Sequence, residues 1–106
     1  MLDKDDVKRI MYEYFKYRMH KDYPLCHEVT CIALALQTYG LAPTDAHIAQ
    51  IDFFLQRENL YPEVYAARLR VVHDLGDELD PIYDKLKSPE YQNKKVLDES
   101  LEDFEL

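Results

Sequence analysis

The chain has 106 residues, enough for one domain that buries about 65% of the surface it exposes when unfolded, and few for two domains. Apolar types make up 47% and charged types 32%, the balance of a chain that folds rather than staying disordered. A net charge of −8 disfavours direct nucleic-acid binding, and only two glycines, Gly40 and Gly76, argue against Rossmann turns, P-loops and hairpin-rich all-β folds.

The charge is unevenly placed. Residues 1–73 carry ten acids against nine bases, whereas residues 74–106 carry eleven acids against Lys85, Lys87, Lys94 and Lys95. No apolar run approaches the ~18–20 residues that span a bilayer, so the expectation is a soluble chain, peripheral to a membrane at most. Residues 1–23 mix six bases with five acids and do not resemble a transit peptide.

Five helices are expected, punctuated by proline. In the first, Val7, Ile10, Met11 and Tyr14 fall at helical spacing, with Phe15 and Tyr17 widening the stripe. Asp3, Asp5 and Asp6 suit its N-terminus, where the helix dipole favours anions. The segment His20 to Pro24 breaks it. The second helix, from about Leu25 to Tyr39, is apolar nearly all round and should be buried on most sides. Gly40 supplies a left-handed cap and Pro43 blocks continuation.

Thr44 is the expected N-cap of a third helix reaching about Glu58, with Ile48, Ile51, Phe54 and Leu55 as its stripe. Pro62 opens a fourth helix, carried by Val64, Tyr65, Leu69, Val72 and Leu75 as far as Gly76. Asp80-Pro81 starts a short fifth with Ile82, Tyr83 and Leu86, and Ser88-Pro89-Glu90 repeats the signal weakly. Short connections make neighbouring helices antiparallel, and residues 44–75 match the size of one α-solenoid repeat. The expected fold is therefore all-α, a short array of helical hairpins forming a TPR-like superhelix. Residues 1–96 form its single domain and residues 97–106 an acidic C-terminal tail.

No constellation points to catalysis. His20, His27, His47 and His73 stand on different elements or boundaries, and the two serines, Ser88 and Ser100, occupy cap or tail settings. Cys26 and Cys31, taken as lying in one helix, would point about 140° apart, so free buried thiols in a reducing compartment are expected. His27 and Cys31 are an i, i+4 pair, but no second Cys/His pair follows, so neither a metal nor any cofactor is expected. Tyr12, Tyr14, Phe15 and Tyr17 cover more than a core-facing arc, which leaves some of them exposed as a docking face.

Short tracts resemble one family. Tyr39-Gly40-Leu41-Ala42-Pro43, between a long apolar helix and a helical hairpin, is similar to the tyrosine–x–hydrophobic–x–proline turn of the cytochrome c oxidase subunit Va family. Ala67-Arg68-Leu69-Arg70-Val71-Val72-His73-Asp74 resembles that family's second hairpin helix, and Met11 to Phe15, Glu28-Val29 and Ile82-Tyr83 align along neighbouring elements. The likeness covers roughly residues 7–86. The family's third helix is rich in arginine, whereas residues 51–57 here keep only Arg57 and gain phenylalanines.

The resemblance implies a non-catalytic helical subunit on the matrix side of the mitochondrial inner membrane, bracing the respiratory oxidase without binding metal or haem. Partner contacts are then expected at Tyr12, Phe15, Tyr17, Tyr39, Pro43, Arg57, Arg68 and Arg70. The other class that fits the residues is a small acidic cytoplasmic regulator or inhibitor, of phage or bacterial type, whose clustered acids mimic phosphates on a protein target.

Overall fold

The computed structural model describes residues 2–23 and 27–88. The expected start of the second helix, Ser88-Pro89-Glu90 beyond its serine, the domain boundary at residue 96 and the acidic tail 97–106 all lie outside the described residues. Within them the chain is all-α: four α-helices, α1 (Lys4–Met19), α2 (Glu28–Tyr39), α3 (Asp45–Leu55) and α4 (Pro62–Leu75), with 3-10 helices at Glu58–Leu60, Gly76–Glu78 and Pro81–Lys87.

The local signals act as their chemistry requires. At the start of α1 the Asp3 carboxylate accepts from the Asp6 amide at 2.8 Å, while the Asp6 carboxylate accepts from the Asp3 amide at 3.2 Å, a reciprocal box that satisfies two end donors. Gly40 ends α2 at φ 99°, and the following amide of Leu41 donates to the Leu36 carbonyl at 2.8 Å. Thr44 accepts from the His47 amide at the start of α3, and Pro62 occupies the first turn of α4. Asp80 caps the segment after Pro81 as expected, but that segment winds as a 3-10 helix, with Leu86 alone buried and Ile82 in solvent. A one-sided apolar contact of this kind gives an α-helix little to pack against.

The core is gathered around α1. Val7, Ile10, Met11, Tyr14, Phe15 and Met19 pack with Cys31, Ile32, Ala35 and Leu36 of α2, Ile51 of α3 and Val64, Ala67, Val71 and Val72 of α4. The closest packing is of α1 on α4 and of α1 on α2; α3 lies on α2. Lys4 pairs with Glu63 at the starts of α1 and α4, and an isolated bridge joins His20 to Leu79 just past their ends. These two helices therefore run side by side in the same direction. Helix order along the chain is not the order of packing, so among the described residues α1 is a central post rather than the first layer of a sequential stack of hairpins.

Two expectations are corrected. Helix α2 is buried on one face only: Cys31, Ile32, Ala35 and Leu36 are covered, while Val29 is 61% exposed. A domain of this size has too little mass to cover both sides of a peripheral helix. Cys31 is not a free thiol but disulfide-bonded. The sequence holds one other cysteine, Cys26, which lies outside the described residues. An angle of about 140° would keep the two cysteines apart only if both lay within one helix. Helix α2 begins only at Glu28, with His27 as its N-cap, so the helical angle between the two positions does not apply.

Candidate functional site

The eight sequence-expected contact residues do not form one surface. Three of them, Tyr12, Tyr17 and Tyr39, tie α1 to its neighbours, and Arg70 braces the acceptor of one. The Tyr12 hydroxyl donates to Asp74 at 2.7 Å, and Arg70 donates to the same carboxylate at 3.0 Å. Tyr17 shares a 2.9 Å hydrogen bond with the Thr38 hydroxyl, and Tyr39 donates to Asp6. Asp6 and Tyr17 are about 16 Å apart along α1, yet both bond adjacent residues of α2. The end of α2 therefore lies across the middle of α1, held from both sides.

These bonds shift the ionisation of the groups they join. Burial alone would raise the Asp74 carboxyl, but donation from Tyr12, His73 and Arg70 outweighs it and holds the group below its usual range. Tyr12 is pushed up, first by burial and then by Asp74, and burial lifts Tyr14 to about 12. The Tyr39 bond lowers Asp6 and raises Tyr39. The expectation that α1 exposes surplus aromatics is thus corrected. Tyr14 and Phe15 are buried, Tyr12 and Tyr17 are half-buried, and the hydroxyls of Tyr12 and Tyr17 are engaged within the chain. Phe15, at 3% exposure, is core and not contact surface.

Exposed apolar surface lies instead at the corner between α3 and α4. Phe54 meets Tyr61 edge-on at 4.8 Å and Phe53 at 5.6 Å, a geometry that aromatic quadrupoles favour. Phe53 remains 44% exposed and Leu60 66% exposed. Arg57 folds back over the Phe53 ring at 3.7 Å and donates to the Phe53 carbonyl at 2.9 Å, so its cation is fixed beside the apolar patch. Pro43 is half-buried in the turn before α3.

Beside this corner runs an open groove of about 660 Å³, lined by Leu55, Gln56, Glu58, Asn59, Pro62, Tyr65 and Arg68. Arg68 crosses its floor and bonds Glu58 at 2.8 Å. Burial nonetheless keeps the Glu58 carboxyl above its usual range, with the arginine only opposing the shift. On its other side Arg68 lies over the Phe15 ring at 5.0 Å and borders a second cavity of about 310 Å³, reached also by Arg18 and Lys85. Sequence reasoning found Arg57 and Arg68 but missed Phe53, Leu60, Arg18 and Lys85. The two phenylalanines of α3 were visible as a departure from the resembled family; the meeting of Arg18 with Lys85 had no sequence signal.

Among the described residues no group of three or more His, Cys, Asp or Glu side chains gathers to hold a metal. His20 pairs with Glu78 and Asp22 at the end of α1, apart from the other histidines. No helix among the described residues is long and apolar enough to cross a membrane. Comparison with protein-family models, curated proteins and solved structures yields no match for this chain.

Proposed function

We propose that the protein is a non-catalytic helical subunit that docks on a larger protein assembly through the α3–α4 corner. The observation that carries this reading is the exposed Phe53 and Leu60 beside an open groove, at a turn whose other aromatics are packed together. An apolar anchor at the centre and a fixed cation such as Arg57 at the rim is the arrangement from which protein interfaces draw most of their energy. The scattered histidines favour a binding role over acid–base chemistry. The resemblance to subunit Va names the assembly to test first, the mitochondrial respiratory oxidase on its matrix face.

The test is co-purification of tagged chain with haem-containing oxidase from solubilised mitochondrial membranes. The native chain and Tyr12→Phe should be retained, whereas Leu60→Ser with Phe53→Ser should be lost at unchanged thermal stability. Full retention of the double variant would remove the corner as the docking site.

One observation favours a second reading. Disulfides persist in oxidising compartments, which the matrix is not, and Cys31 is disulfide-bonded. In such a compartment, and not in the cytoplasm expected for it above, the same corner would serve a small acidic regulator of a single protein target. Alkylation of the native protein before and after reduction tests this: freely alkylated cysteines support a reducing compartment such as the matrix, protected ones a regulator in an oxidising compartment.

A further inference from the structure

The 660 Å³ groove beside the α3–α4 corner has an apolar wall with surface to offer: Leu55 and Tyr65 are half-buried and Pro62 is exposed. Its lining carboxylate, Glu58, is bonded to Arg68 and presents no unmatched charge. Arg57 stands next to this wall, held on the Phe53 ring and carbonyl, and no carboxylate pairs with it among the described residues. Such a groove fits an apolar strip edged with acids. We propose that residues 97–106 of this same chain occupy the groove and cover it against other partners.

The sequence of that segment matches the groove in two respects. Leu97, Leu101 and Phe104 recur at i, i+4 and i+7, the anchor spacing of an amphipathic segment lying in a groove. Asp98, Glu102 and Glu105 repeat the same spacing one residue on, which sets carboxylates along one flank of the apolar strip. That flank is attracted to Arg57 at the start of the corner. It is repelled from the opposite end of α4, where Asp77, Glu78 and Asp80 follow. The chain also has the reach. Ser88, the last described residue, comes two after Leu86, and Leu86 borders one cavity with Arg68, which also lines the groove. Nine residue steps lead from Ser88 to Leu97, up to ~30 Å when extended. A short tether holds its end at an effective concentration on the order of millimolar, so a contact too weak to persist between separate molecules is populated within one.

The contact stands apart from the docking role, whereas its consequence, competition with a partner at the corner, rests on that reading. Nuclear Overhauser spectra of the isotope-labelled full chain, at two concentrations tenfold apart, test the contact. Cross-peaks are expected from the Phe104 ring or the Leu101 methyls to the side chains of Leu55 or Tyr65, with relative intensities unchanged on dilution. Leu101→Ser with Phe104→Ser should abolish them and shift the amides of Gln56 and Asn59. Arg57→Gln should weaken them at least twofold at low salt. Absence of the cross-peaks overturns the proposal, as does their loss on dilution, which would make a second copy the occupant, or their full intensity in Arg57→Gln. In the co-purification above, the chain with both tail substitutions should be retained about threefold more than the native chain, and equal retention would overturn the competition. If neither chain is retained, the docking reading falls, while the cross-peaks still decide the contact.

Discussion

The aromatic residues of α1 and those at the α3–α4 corner occupy similar sequence patterns but opposite surroundings. On α1 the tyrosines reach across helix boundaries: Tyr12 bonds α4 and Tyr17 bonds α2, so each phenol buries its ring and satisfies its hydroxyl in one contact. At the corner Phe53 and Phe54 have no hydroxyl to place. They stack on Tyr61 and on each other, and the outermost ring is left in solvent. A tyrosine-rich stripe can therefore be an internal fastening, whereas adjacent phenylalanines at a turn mark surface that the fold leaves uncovered.

The comparison breaks most sharply by emptying the α1 side. Ile10 is fully buried between α1 and its neighbours, and Ile10→Ala should cost about 3–4 kcal/mol through lost burial and the cavity left behind. The denaturation midpoint should fall at unchanged slope. A loss below about 1 kcal/mol would mean that α1 is not the central post.

A smaller effect tests the fastening itself. Asp74 accepts from Tyr12 and Arg70, and Asp74→Asn should cost about 1 kcal/mol at neutral pH, the scale of hydrogen bonds to a charged group that solvent partly screens. Its carboxyl titrates below the ordinary value of 3.8 in the folded chain, so the stability it adds is present above that pH and lost as pH falls through the lowered value. The difference between native and variant chains should thus narrow as pH falls below 3.8, which paired melts at pH 7 and at a series of acid pH values would register. A difference that does not narrow with falling pH would assign the loss to packing instead.

The smallest effect sharpens the contrast from the other side. Leu60 projects into solvent, so Leu60→Ser should shift stability by no more than about 0.5 kcal/mol. A large drop in melting temperature would show the corner to be part of the core and withdraw it as an interface.

Much of this fold was written locally. Apolar spacing of three and four residues, prolines at helix starts, acids in the first turn of α1, Thr44 and Asp80 as caps and Gly40 at positive φ each act within a few residues, and each is found where the sequence places it. What the sequence left open depends on contacts distant in the chain. The disulfide at Cys31 depended on where α2 begins, and the burial of Tyr12 on an aspartate 62 residues away. Arg18, Arg68 and Lys85 line one cavity only because α1 packs directly on α4 and the 3-10 helix Pro81–Lys87 borders both. Helix formation answers to near neighbours along the chain, but which faces meet is decided by how the whole set of apolar stripes can be buried at once, and that choice fixed the site.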